Sequence, residues 1–229
     1  MQKNRKMKRD KILVTGGSGF LGTEICRLAN ERFIKVISLS KSGKPDSLQQ
    51  QYASVTWLSA DIFDIESWKA YLKQCYAVIH CIGILEEHIE RGITYEKMIL
   101  GSAMLTGDEA KDSGIKKFVY VSAGAAAPGT PEGYMKNKRA AEQYLTSLNI
   151  DLTILRPGMI YGPQRPETIS ENEAIQKLLH DPDVYPGLKE NRPLPVSTVA
   201  GCALKVATGQ LRKRVLSVDD MDELNLTLG

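Results

Sequence analysis

Short apolar runs rich in β-branched residues recur along the chain, first at Lys11 to Thr15 and then near 34–39, 55–58, 76–82, 116–122, 150–156 and 214–218. Between them the apolar residues fall at helical spacing, and no hairpin turn joins one run to the next. Leu21, Ile25 and Leu28 share one helical face, and Tyr134, Ala141, Leu145 and Leu148 mark another. Two more helices are expected, one capped by Asp64 with Ile65, Trp68 and Leu72, the other after Thr94 with Tyr95, Met98, Ser102 and Leu105 along one stripe. Apolar strands alternating with amphipathic helices predict an α/β fold with a doubly wound parallel sheet, because each crossover lays a helix over a sheet face. The character changes near Gly162, where Pro163, Pro166, Pro182, Pro186, Pro193 and Pro195 crowd a stretch with one helical signal, around Ala174 to His180. The expected organisation is a basic flexible arm over 1–11, a body over 12–162, and a small C-terminal substrate lobe over 163–229 that completes the same domain.

Composition narrows the function classes. The 229 residues, 42% of them hydrophobic, suit one domain with a small appended lobe. The net charge of +3 is small, and six basic residues lie within the first eleven positions, so no nucleic-acid face is expected. That leader holds no apolar stretch and includes Asp10, and no segment approaches membrane-spanning length, so a soluble, cytoplasmic protein without a membrane span is expected. Cys26, Cys75, Cys81 and Cys202 are scattered, as are His80, His88 and His180, so no metal site or disulfide framework is expected.

Chemistry begins at the first strand, in Ile12-Leu-Val-Thr-Gly-Gly-Ser-Gly-Phe-Leu-Gly22. Gly16, Gly19 and Gly22 form G-x-x-G-x-x-G, and Gly17 also completes G-x-G-x-x-G. Gly16 and Gly17 suit the tight strand-to-helix turn, Gly19 lets backbone approach a phosphate, and Gly22 allows close packing of the helix. The helix opening near Gly19 would point its free N–H groups at a bound anion. Strand, glycine turn and helix stand in the order that a Rossmann-type nucleotide site requires.

The second feature is Tyr134-Met-Lys-Asn-Lys138. A Tyr followed four residues later by Lys occurs twice, and the copy at Tyr185 and Lys189 encloses Pro186 and Gly187, which disfavour a helix. Tyr134 opens an amphipathic stretch instead, so it and Lys138 share a face, twelve residues after Ser122 at the end of Phe118-Val-Tyr-Val-Ser122. A phenol with an ordinary pKa of about 10 carries protons poorly near neutrality until a cation favours its phenolate. Lys138 would supply that cation, Ser122 would donate to a carbonyl oxygen, and Tyr134 would pass the proton. Each has a plainer reading: Ser122 as a strand end, Tyr134 as a packed aromatic, Lys138 as a solvated helix residue.

VTGGSGFLG, YMKNK and Leu155-Arg-Pro-Gly-Met-Ile-Tyr-Gly162 together resemble the short-chain dehydrogenase/reductase superfamily, in its extended or atypical, NAD-dependent epimerase/dehydratase-like branch. SKSG, SADIFD, HCIGIL and PLPVSTVA are similar to an atypical group that includes the nucleotide-binding accessory subunit of mitochondrial complex I and proteins linked to coenzyme Q biosynthesis. The resemblance implies that Gly16, Ser18, Gly19, Phe20, Leu21 and Gly22 line a pyrophosphate, Asp61 and Ile62 an adenine, and Cys81 to Gly83 the ribose region. Tyr134 and Lys138 match the family's YxxxK, and Pro157 and Gly158 a segment bordering the nicotinamide. Ile99 stands where catalytic members often carry Asn, and fewer than seventy residues follow Gly162, a lobe small for a sugar-nucleotide pocket. NAD-selective relatives place an acid at the end of the second strand, whereas Leu39-Ser-Lys-Ser-Gly43 has none, and no acid lies between Glu31 and Asp46. Ser40, Lys41 and Ser42 therefore predict NADP(H) in preference to NAD(H), since a carboxylate would repel a 2′-phosphate by roughly 1 to 4 kcal/mol at contact and Lys41 would attract it. The expected function is an NADP(H)-dependent oxidoreductase acting on a carbonyl or alcohol of a small-molecule substrate, with Tyr161, Arg165 and Arg192 as further contacts in the lobe. Two alternatives stand beside it: a non-catalytic accessory or redox-sensing protein of a partner complex, and an epimerase or isomerase. A homodimer is expected only by analogy.

Overall fold

A computed structural model of the chain describes residues 9–48, 51–126, 129–181 and 186–226. Seven strands, β1 (Lys11–Thr15), β2 (Val36–Ser40), β3 (Val55–Ser59), β4 (Cys75–His80), β5 (Lys117–Val121), β6 (Leu152–Leu155) and β9 (Val215–Leu216), form one parallel sheet in the order β3-β2-β1-β4-β5-β6-β9. The two remaining strands, β7 (Ile160–Tyr161) and β8 (Leu194–Pro195), pair with each other. Side chains alternate across the sheet, so Ile12 and Val14 enter one core while Leu13 enters the other. The first core is closed by α1 (Phe20–Glu31), α6 (Val196–Ala207) and α7 (Val218–Leu226), through residues such as Ile25, Val199 and Met221. The second is closed by α2 (Ser102–Asp112) and α3 (Glu132–Ser147), through Ala103, Ala141 and Leu145. This is the doubly wound, Rossmann-type arrangement, with its crevice where β2 and β4 diverge from β1.

Several expectations are redrawn. Residues 65–74 form two 3-10 turns, Ile65–Ser67 and Lys69–Gln74, and the Asp64 side chain makes no cap bond. Trp68 explains this: it is fully buried, its indole N–H donates to the Ile62 carbonyl at 2.9 Å, and its backbone φ of −134° interrupts any continuous helix. The Thr94 hydroxyl does cap, accepting from the Lys97 N–H at 3.2 Å, but the first turn after it, Glu96–Gly101, is a π-helix that runs into α2. The signal near Ala174 belongs to a longer α4 (Pro166–Leu179), which starts on a proline suited to a first helical turn. For the same reason Pro186–Glu190 forms a one-turn α5 despite its proline and glycine, while Tyr185 lies outside the described residues.

The ends of the chain differ from expectation too. Residues 1–8 lie outside the described residues, but Arg9 donates to the carbonyls of Gly114 and Ser113 at 2.7 and 2.6 Å, Asp10 pairs with Lys35, and Lys11 begins β1. Arg9 to Lys11 are therefore fastened to the body. After β6 the chain divides: β7, α4, α5 and β8 form the small lobe, whereas α6, β9 and α7 return to cover and extend the sheet.

Candidate functional site

Two cavities, of about 360 and 340 Å³, open at the carboxyl ends of the strands and share Gly16 in their linings. They form the two halves of a groove that bends over the glycine turn. Gly16 holds φ at +75°, which lets its own N–H and that of Gly17 both donate to the Leu39 carbonyl. A Cβ on Gly17 would fall 2.0 Å from the Ser38 hydroxyl, and one on Gly22 would fall 2.2 Å from the Gly16 carbonyl oxygen. Gly22 thus seats α1 on the glycine turn itself. A Cβ on Gly19 would meet only the Gly16 carbonyl, at 3.2 Å, and would otherwise project into free space. Gly19 is the N-cap of α1 and offers no side-chain cap, leaving the first-turn N–H groups for an anion. A dinucleotide pyrophosphate fits this turn, because Gly19, where a side chain would project into the free space, carries none.

The first half of the groove runs from Gly16 past Ser40, Lys41, Asp61 and Ile62. Ser18 and Ser42 line neither cavity; their hydroxyls bond to each other at 2.9 Å across the rim. The Ser40 hydroxyl donates to the Gly43 carbonyl, so it shapes the turn after β2. Lys41 is not alone. The parallel register that pairs Ser40 with Ser59 brings Asp61 alongside, with carboxylate and ammonium 3.6 Å apart. Asp61 follows β3, so it lies outside the acid-free interval from Glu31 to Asp46 around β2 and yet meets Lys41 in space. Arg91 and Lys97, which the sequence reading did not single out, face the same cavity.

The second half brings together Gly19, Phe20, Leu21, Gly22, Cys81 and Gly83 with Ser122, Tyr134, Lys138, Pro157 and Gly158. Tyr134 and Lys138 lie on successive turns of α3, with the Lys138 ammonium 5.7 Å from the Tyr134 ring centre and 5.4 Å from that of Tyr120. Lys138 is buried and donates to the Val121 carbonyl at 2.8 Å. Burial pushes its pKa down to about 8, helped slightly by Arg139, while Cys81 and Glu142 act against the shift. Tyr134 stacks edge-on against Tyr95 at 5.9 Å, and its pKa is raised, first by burial and then by Tyr95. The expected depression of the phenol is not realised, because Lys138 directs its ammonium to a backbone carbonyl.

Ser122 is also placed differently from the expected carbonyl donor. Its one hydroxyl hydrogen goes to Glu142 Oε1 at 2.5 Å, and the hydroxyl is buried. Glu142 accepts further bonds from Arg139 at 2.6 Å and from both Nε and Nη2 of Arg156. Burial alone would raise the carboxyl's pKa, but the bonds from Arg156 and Ser122 and the charge of Arg139 outweigh it and hold it low. Arg139 also donates to the carbonyls of Ala123 and Gly124, so this network locks the loop after β5. The i, i+3 spacing of Arg139 and Glu142 was the one local signal of it.

His80 is a structural tie. Ser102 donates to the Met98 carbonyl, which leaves its oxygen to accept from His80 Nε2–H at 3.2 Å, while Nδ1 accepts from Thr15 at 2.8 Å. Burial, with the nearby Lys138 charge, lowers its pKa to about 3, so the ring is neutral. Ile99, also fully buried, offers no polar group. In the lobe, Arg165 lines the cavity with its guanidinium 5.1 Å from the Phe20 ring centre. Arg192 instead pairs with Asp219 and Asp222 of α7, and Tyr161 lies outside the lining. Asn191, invisible to local pattern, accepts from the Ala125 N–H at 2.7 Å and fits against Gly124 and Gly158, either of whose Cβ atoms would collide with it.

The NAD dependent epimerase/dehydratase family matches residues 12–182. An uncharacterized chloroplastic protein of Arabidopsis thaliana is 34% identical over 69% of this chain, which covers 53% of the plant protein, about half its length. MIOREX complex component 2 of Saccharomyces cerevisiae is 30% identical, covering 68% of this chain and 74% of its own. The Bordetella bronchiseptica enzyme WbmH, solved with NAD+, superposes with a TM-score of 0.66 at 18% identity, over 87% of this chain and 72% of that one, a likeness of fold. No helix among the described residues is long and apolar enough to cross a membrane.

Proposed function

The chain belongs to the NAD dependent epimerase/dehydratase family, and on that footing we propose that it is an NADP(H)-dependent oxidoreductase that reduces a carbonyl, or oxidises the matching alcohol, on a small-molecule substrate. The observation that carries this reading is the placement of Tyr134 and Lys138 on one face of α3, at the wall of a cavity that begins on the glycine turn. NADPH, when bound, supplies the hydride. Gly19 and the first turn of α1 would hold the pyrophosphate, Cys81 and Gly83 would line the ribose region, and Pro157 and Gly158 would border the nicotinamide.

The raised pKa of Tyr134 suits reduction, because burial keeps the phenol protonated and able to donate to a carbonyl oxygen. Once the proton has left, the charge of Arg139 favours the phenolate, while Lys138, bonded to the Val121 carbonyl, keeps its ammonium beside the ring. With its hydrogen committed to Glu142, Ser122 acts through the loop it holds, and Tyr134 is the proton donor at the carbonyl.

Substituting Tyr134→Phe tests this. Turnover of a carbonyl panel with NADPH should fall by roughly 10²- to 10⁴-fold while the cofactor dissociation constant is nearly unchanged. A Tyr134→Phe protein that keeps full turnover sinks the proposal.

A second reading, a nucleotide-binding accessory protein without turnover, is favoured by two observations: the buried Ile99 and the captured Ser122. The yeast relative, whose name makes it a component of a complex, points the same way. That reading predicts tight cofactor binding with no turnover on any carbonyl and cofactor-dependent recovery of a partner.

A further inference from the structure

The first half of the groove has an apolar interior and a charged rim. Ile62, Phe63, Ile93 and Met98 supply the apolar walls, a slot suited to a purine. At the rim stand Lys41 and Asp61 on one side and Arg91 and Lys97 on the other. Lys41 spends part of its charge on Asp61 at 3.6 Å. Arg91 and Lys97 have no carboxylate partner among the described residues, and the Lys97 ammonium rests over the Phe63 ring, 5.2 Å from its centre. Three cations against one carboxylate leave an excess of two positive charges, which a phosphomonoester of about −1.5 to −2 near neutrality would neutralise.

We propose that Arg91 and Lys97 are specificity-determining residues that grip the ribose 2′-phosphate of NADP(H) from the wall opposite β2, so that Lys41 is only one of three cations reading it. This rests on the NADP(H) reading above and adds the residues that carry it. The pyrophosphate has its own seat at the glycine turn, so the excess charge at this far end answers to a different anion.

The placement of Arg91 is built into the backbone. His88 and Ile93 close a turn with N–H to carbonyl bonds of 2.8 and 3.1 Å in the two directions, and Gly92, at φ +66°, lets the chain reverse directly after Arg91. Lys97 follows on the turn that Thr94 caps. Both cations therefore sit on segments shaped by the chain's own hydrogen bonds, which lowers the cost of gripping the phosphate. The Tyr95 between them donates its N–H to Glu87 and its hydroxyl to the Leu85 carbonyl, and packs on Tyr134.

Calorimetric titration with 2′,5′-ADP and 5′-ADP isolates the 2′-phosphate from all nicotinamide chemistry. The intact protein should bind 2′,5′-ADP at least about tenfold more tightly than 5′-ADP, less so as salt is added. Arg91→Met with Lys97→Met, which keeps the apolar stems, should cut that ratio by about tenfold while 5′-ADP binds as before. Exchanging the two, Arg91→Lys with Lys97→Arg, should retain the ratio. If the intact protein discriminates and the double Met variant discriminates equally, the inference is overturned and the NADP(H) reading stands on Lys41. If the intact protein shows no preference, the NADP(H) reading falls and takes this inference with it. Should the double variant lose 5′-ADP as well, the two single substitutions, read by the same ratio, decide.

Discussion

Lys138 shows how much a single side chain draws from its surroundings. In an unfolded chain its amine titrates near 10.5, whereas burial in the fold brings it to about 8. Below about 8 both states are protonated and the fold bears the full penalty of a buried charge. Between those values the native amine is neutral while the unfolded one keeps its proton, so the penalty fades as pH rises. Lys138→Met removes that penalty, of order 3 kcal/mol, and forfeits about 1 kcal/mol through the bond to Val121. The variant should therefore unfold at a higher temperature than its parent near neutrality, with the gain shrinking and then reversing above about pH 10. A difference independent of pH would mean that Lys138 is not charged and buried as described. The pairing of Tyr134 with Lys138 was legible in the sequence, since a helix places every fourth residue on one side. The capture of Ser122 by Glu142 was not, because the two meet only when α3 lies across the end of β5.

At the scale of elements, the glycine turn separates two tasks that its spacing suggested but could not assign. Gly22→Ala places a methyl against backbone, 2.2 Å from the Gly16 carbonyl and 2.7 Å from Gly17 Cα, where no rotamer gives relief. It should destabilise the protein by roughly 1 to 3 kcal/mol, visible in thermal unfolding without any ligand. Gly19→Ala meets only one atom, at 3.2 Å, so it should melt close to the parent yet lose most of its affinity for the dinucleotide. Similar melting shifts for both would show that Gly19 serves packing and not ligand approach. The strands and the amphipathic helices were readable for the same local reason as the glycine turn, since periodicity reports which face is buried. Residues 65–74 were not. Their apolar spacing fits a helix, and only the anchoring of Trp68 on the Ile62 carbonyl reveals why the backbone tightens into 3-10 turns.

Across the whole molecule, the lobe and the body are joined at the site itself. Asn191 accepts from Ala125 N–H and donates to the Gly187 carbonyl, tying the loop after β5 to α5, while Gly158 packs on its backbone. Asn191→Ala would strand the Ala125 donor at a cost of about 1 to 3 kcal/mol. Faster amide exchange across residues 158–195, with that of the main sheet nearly unaltered, is the expected signature. Unchanged exchange in the lobe would show that another contact holds it. The order of strands and helices, the glycine turn and the Tyr134–Lys138 face were determined by the sequence alone, because each depends on residues close together in the chain. Which charges meet in the groove was decided only in three dimensions. Asp61 reaches Lys41 through the register of β2 with β3, Glu142 takes the hydrogen of Ser122, and Arg91 and Lys97 close the cavity from beyond β4. These contacts follow from sheet order and register, which join segments distant in the chain and leave no periodic trace in either one.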